Sequence, residues 1–105
     1  MANKTELQTI LARHIGSDNG ISAEALATLL DVEVRQMRKL VTELREDGIA
    51  VCGHPNTGYY IAKTAEELEQ TCAFLHSRAL HSLVLESKLR HVPLPELLGQ
   101  LRLKT

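Results

Sequence analysis

The stretch that most restricts the fold runs from Leu26 to Gly48, LATLLDVEVRQMRKLVTELREDG, because it holds two helical patterns separated by a gap too short for a loop. In the second pattern Met37, Leu40, Val41 and Leu44 recur at three- and four-residue steps and so share one face of a 3.6-residue period. Gly48 supplies the stop. The first pattern is expected to span Ala23 to Leu30 behind a Ser22 cap and to bury Leu26, Leu29 and Leu30, with Ala27 small enough for a second helix to cross close above it. Asp31 then takes the tight-turn position where Gly is commonest, since Asp tolerates left-handed backbone better than most residues. Val32 is placed to plug the turn into the core.

The flanks extend this unit in both directions. Asn3 and Thr5 are both candidate N-caps for a first helix from about Thr5 to His14, whose apolar stripe is Leu7, Ile10, Leu11 and Ile15. The segment GSDNG at 16–20 is turn chemistry throughout, and Ile21 alone follows it as a short strand residue. After Gly48 the pattern becomes IAVCG, HPNTG, YYIA, which reads as strand, turn, strand. Period-two alternation sends Ile49, Val51, Tyr59 and Ile61 one way and Ala50, Cys52 and Tyr60 the other. One tyrosine is therefore expected in the core and the other exposed.

From Thr64 a capping box, TAEE, opens a long helix reaching about His91. Its apolar positions Leu68, Cys72, Leu75, Ala79 and Leu83 make one stripe, while Phe74, Leu80, Val84, Leu85 and Leu89 lie outside it. Cys72 reads most simply as a small core hydrophobe. VPLP at 92–95 breaks the helix, and Pro95 suits the first residue of a short last helix to about Leu101. Leu94, Leu97, Leu98, Leu101 and Leu103 make this tail oily enough to require a cover, either the long helix or a second subunit.

The face of the second helix opposite its apolar stripe carries Val34, Arg35, Arg38, Lys39, Thr42 and Arg45, with three cations in its first half. Arg can read guanine through a paired hydrogen bond, Lys and Thr can hold phosphates, and Val34 can meet a thymine methyl group. A helix–turn–helix followed directly by a hairpin places His54, Asn56, Thr57 and Lys63 on or beside a wing. Bulk charge gives no help, because the whole chain carries a formal net charge of -1. Between positions 32 and 63 the cations Arg35, Arg38, Lys39, Arg45 and Lys63 face Glu33, Glu43, Glu46 and Asp47. Affinity for DNA must then come from placement. The same face also suits an ordinary solvated amphipathic helix.

LLDVEVRQM at 29–37, LREDGI at 44–49 and GYYI at 58–61 together resemble the winged helix-turn-helix domains like the N-terminal domain of bacterial biotin protein ligase-repressors. The likeness covers about Leu7 to Ala62. It implies a winged fold that binds double-stranded DNA through the second helix of the motif. Two positions depart from the pattern: Glu33 stands where the family usually has a Ser cap, and no ligase catalytic domain follows, so the enzymatic half of that family does not carry over. Long helices appended to winged domains commonly join two copies, and the segment from Thr64 resembles that arrangement, including in phage and prophage DNA-binding proteins.

Other chemistries find little support. Cys52 and Cys72, with His14, His54, His76, His81 and His91, show neither CxxC nor a histidine spacing of three or four on one helical face. No metal or cofactor is expected. Cys52 and His54 share a strand face, but nothing near them in sequence would orient the imidazole or build an oxyanion hole, so no enzyme is read here. No leader pattern or membrane-spanning run is seen, and two cysteines without a dense framework suit a reduced cytoplasmic protein.

The expected fold class is mostly α with a small β-hairpin: a winged helix-turn-helix domain over residues 1–63, then a long C-terminal helix and a short final helix over 64–105. The expected function is sequence-specific binding of double-stranded DNA by a homodimer that regulates transcription. Dimerisation is assigned to Leu68, Cys72, Leu75, Ala79, Leu80, Leu83, Val84, Leu97, Leu98 and Leu101. A protein-interaction module on a winged scaffold, and an accessory factor in phage DNA replication or recombination, remain alternatives.

Overall fold

The computed structural model describes residues 2–103, with side chains to Gly99, and divides into two compact units, the first ending at Thr71 and the second beginning at Cys72. In the first, α1 (Lys4–Leu11), α2 (Ala23–Leu30) and α3 (Val34–Glu46) precede an antiparallel hairpin of β1 (Val51–His54) and β2 (Gly58–Ile61). A long helix, α4 (Ala65–Arg90), and a final helix, α5 (Leu94–Leu103), complete the layout expected from the sequence. No helix among the described residues is long and apolar enough to cross a membrane.

The starts of α1 and α2 follow from their caps. Asn3 Oδ1 accepts from the Glu6 backbone N–H at 3.0 Å and Ser22 Oγ from that of Ala25 at 3.1 Å, which satisfies donors the helices leave free. The ends of α2, α3 and α4 share one device: Asp31 (φ 56°), Gly48 (φ 84°) and His91 (φ 56°) turn left-handed. The next residue's N–H then reaches back to close the last turn, Val32 to Ala27 O, Ile49 to Leu44 O and Val92 to Ser87 O. Asp31 thus fills the role its sequence position implied. The first helix stops earlier than expected, at Leu11, because Arg13 and His14 tighten to three-residue hydrogen bonds.

Leu7 and Leu11 from α1, Leu26, Ala27 and Leu30 from α2, and Met37, Leu40, Val41 and Leu44 from α3 form one core with Val51 of β1. Val32 packs against it as the turn's plug. Leu29 departs from expectation: it is 62% exposed, since Leu26, Ala27 and Leu30 already fill the narrow contact that α2 offers. Ile15 also leaves the core stripe. It pairs with Ile61 on the outer edge of β2 and is 49% exposed.

The hairpin is covered on both faces, which alternation alone does not reveal. Val51 is buried on the core side, and Tyr59 and Ile61 pack partly buried against the same core. Cys52 and Tyr60, paired across the ladder, are buried on the other side, where Cys52 Sγ approaches Glu67 O of α4 at 3.7 Å. Neither tyrosine is exposed, correcting the expectation that one would be. Burial pushes the Tyr60 hydroxyl above its ordinary range.

Glu67 fastens α4 to this unit. Its carboxylate accepts from the backbone N–H groups of Ser17 at 2.8 Å, Lys63 at 2.8 Å and Thr64 at 3.3 Å, while Thr64 Oγ1 accepts from the Glu67 N–H at 3.1 Å. The capping box is present, but one of its arms reaches 50 residues back along the chain. Those donors, Ser17 first and Lys63 next, hold the Glu67 carboxyl down at about 2. A group whose folded pKa is depressed stabilises fully above its unfolded value, near 4.5, and loses that contribution as pH falls through about 2. Glu67→Gln is therefore expected to lower Tm at pH 7, with the gap from wild type closing as thermal scans are taken down to pH 2. A pH-independent gap would mean that the carboxylate charge is not what holds the clasp.

In the second unit, α4 ends at Arg90 and α5 begins at Leu94, before the expected Pro95. Glu96 and Leu97 N–H groups bond Pro93 O and start it. Leu97 is buried, Leu83 and Val84 are partly buried, and Leu98 is 37% exposed. Cys72 is exposed, correcting its reading as a core residue, and Leu75, Ala79 and Leu80 are exposed as well. Leu101 lies outside the residues whose side chains are described.

Candidate nucleic-acid interface

The apolar stripe of α3 is fully committed to the core, and that orients the rest of the helix. Met37, Leu40, Val41 and Leu44 are each at most 4% exposed, so Arg35, Arg38, Lys39 and Thr42 are turned to solvent. Among the described residues the ion pairs are Lys4–Asp47 and Glu86–Arg90, which leaves Arg35, Arg38 and Lys39 without a carboxylate partner there. Three unneutralised cations within two turns are available to an outside anion. The Thr42 hydroxyl donates to Arg38 O at 3.2 Å, which leaves its oxygen lone pairs open to a further donor.

Charge along α3 is segregated. Its acids, Glu43 and Glu46, lie in the last turns, beside Asp47, whose carboxylate takes a 2.7 Å bond from Lys4 Nζ. That contact raises the Lys4 ammonium above its ordinary range, first through the hydrogen bond and then through the charge of Asp47. The first half of α3 remains positive although the segment as a whole is nearly neutral.

Two of the residues expected on this face have other work. Val34 is partly buried against the core. Arg45 is also partly buried, and its Nε donates to Val51 O at 2.9 Å, so its guanidinium ties the end of α3 to the first strand. That role was hidden in the sequence, where an Arg at the edge of a cationic stripe looks like one more surface charge. Gln36, exposed next to Arg35, is hidden for the opposite reason: it carries no charge, yet its amide is suited to an adenine edge.

The hairpin tip brings His54 and Asn56 to the surface together. His54 Nδ1 accepts a hydrogen bond from the Asn56 backbone N–H at 3.1 Å, which in the neutral ring leaves the proton on Nε2, where it can donate outward. Thr57 is more enclosed: its N–H bonds His54 O at 3.1 Å and its hydroxyl lies 3.2 Å from Gly58 O. Lys63 falls elsewhere, past the end of β2, with its stem alongside Gly16 rather than at the tip.

Glu33 precedes α3 in extended conformation (φ -68°, ψ 152°) and makes no side-chain cap hydrogen bond. Its carboxylate favours the helix dipole, but the first N–H groups of α3 lack a capping oxygen. Glu33→Ser is expected to supply one, raising stability by about 1 kcal/mol and Tm with it. A lower melting temperature in thermal unfolding would show that Glu33 holds its position in another way. Comparisons of the chain with family models, curated proteins and solved structures found no match.

Proposed function

We propose that this protein is a winged helix-turn-helix protein that binds double-stranded DNA in a sequence-specific manner and regulates transcription in the cytoplasm as a homodimer. The observation that carries the reading is the outward face of α3, where Arg35, Arg38 and Lys39 are exposed and free of ion pairs among the described residues. In the reading, α3 lies in the major groove with Arg35 and Arg38 at base edges; Lys39 reaches the backbone, and Thr42 does so by turning its O–H from Arg38 O to a phosphate oxygen. His54 and Asn56 on the hairpin tip meet the flanking phosphates. Arg45 supports this arrangement from behind by fixing the angle between α3 and the hairpin.

A second reading has its own observation. Phe74, Leu75, Leu80 and Leu85 are 39–51% exposed along α4, which favours a protein partner for the C-terminal helices. In the first reading that partner is a second copy. A protein-interaction module would instead use these residues without any need for α3.

Selection of bound sequences from a pool of random duplexes separates the two. The DNA reading expects enrichment of a palindrome, with half-sites one helical turn or a multiple of it apart. Recovery of unenriched sequence by a folded, full-length protein would contradict sequence-specific binding.

A further inference from the structure

We infer that two copies of this chain pair through α4 in antiparallel fashion, with Ala79 near the two-fold axis. The inference rests on the homodimer in the proposed function and specifies its geometry. Every residue from Cys72 to Ser82 is exposed, including Phe74, Leu75 and Leu80, so no single face of that stretch is turned inward. The apolar side chains there, Cys72, Phe74, Leu75 and Leu80, are interleaved with His76, Ser77, Arg78 and His81, and large apolar groups left this exposed along one helix mark a surface that a partner covers.

Charge identifies the occupant. Between Gln70 and Leu85 the only formally charged residue is Arg78, and no carboxylate occurs, so this stretch offers little to a charged partner. It does suit its own copy. The ends of α4 differ in charge, with Glu66, Glu67 and Glu69 at the start, while at the finish Arg90 is paired with Glu86 and Lys88 is left as the net positive charge. Parallel pairing sets acid beside acid and base beside base. Antiparallel pairing brings Glu69 of one copy within a turn of Lys88 of the other and opposes the two helix dipoles favourably.

Position 79 follows from the pattern. Leu68, Cys72, Leu75 and Ala79 share one face at four- and three-residue steps. Ala79 is the smallest of them and stands near the middle of the carboxylate-free stretch, where two backbones can approach most closely. An isologous two-fold contact requires the residue on the axis to meet itself. Ala79 then faces Ala79, while Cys72 is separated from Cys72 by about 14 residues of helix, roughly 21 Å.

Cysteine cross-linking in the absence of DNA reads this directly. The full-length Cys72→Ser, Ala79→Cys variant is expected to form a covalent dimer on mild oxidation, because disulfides need Cα atoms within about 7 Å. The unaltered chain, in which Cys52 is buried and Cys72 exposed, is expected to remain unlinked under the same conditions. Cross-linking through Cys72 would indicate parallel pairing and overturn the inference. Failure of the Ala79→Cys variant to link, with light scattering reporting a monomer or a dimer, would overturn it as well. Because no DNA is present, either failure leaves the duplex selection to judge the α3 surface separately.

Discussion

Gly20→Ala is expected to lose about 3 kcal/mol or more of folding stability, the upper range for forcing an atom into packed structure. A Cβ on Gly20 would lie 1.9 Å from Thr57 O and 2.9 Å from Thr57 C, both backbone atoms. Neither side can yield easily, because Ile21 is tied to Tyr59 by hydrogen bonds in both directions, at 2.9 and 2.7 Å. The backbone of Gly20 is itself ordinary (φ -68°, ψ 159°), so the whole effect is steric. Gly48→Ala is the internal comparison. Gly48 is left-handed (φ 84°) with nothing within 4 Å of an added Cβ, and its replacement should cost only the conformational penalty, about 1 to 2 kcal/mol. Urea unfolding of the two variants checks the order. Equal losses would mean that the close approach between Gly20 and the hairpin is not rigid.

The largest functional effect is expected at Arg35 and Arg38. Each change to Ala should weaken binding to the selected duplex by about 1 to 3 kcal/mol if the guanidinium meets a base edge, and should relax preference at the base it reads. Lys39→Ala should behave differently. A phosphate contact is blind to sequence, so all duplexes should weaken alike and the dependence of affinity on salt should become shallower. Fluorescence anisotropy at several salt concentrations distinguishes the two patterns. All three residues are exposed and outside the core, so their replacement should leave thermal unfolding unchanged. Unaltered affinity in all three folded variants would remove α3 from the account.

Much of this framework was legible because the strongest signals are local. Three- and four-step spacing of Met37, Leu40, Val41 and Leu44 fixed the buried face of α3, and Asp31 and Gly48 marked helix ends through their tolerance of left-handed backbone. The misreadings concern which apolar surfaces find a cover. Period-two alternation predicts a hairpin with one wet face, but the start of α4 closes over Cys52 and Tyr60. The same spacing that places Leu26 and Leu30 in the core equally allows Leu29, and only the limited width of the α2 contact leaves it outside. Its residue type places Cys72 inward, although the helix is exposed from Cys72 to Ser82.

Polar contacts between distant parts of the chain were the least legible. The Thr64–Glu67 capping box is a local pattern, whereas the bond from the Ser17 N–H to Glu67 depends on how the chain returns to the first turn. Arg45 is similar. Its residue type announces charge, and only the position of Val51 O makes it a strap. For the proposed interface, the sequence located the cations, and the fold separated Arg35, Arg38 and Lys39, without an ion pair among the described residues, from Arg45, which is already engaged.

The most direct test of the central claim is to titrate a selected duplex into the 15N-labelled full-length protein and follow backbone amide resonances. The account expects the largest perturbations in the first half of α3, about residues 34–42, with a second group at the hairpin tip around His54 to Thr57. Smaller changes should reach the buried side of α3, and amides along the middle of α4 should be unaffected by contact. Perturbations confined to α4 and α5, or none at duplex concentrations well above those used in selection, would contradict the assignment of α3 as the DNA-reading element.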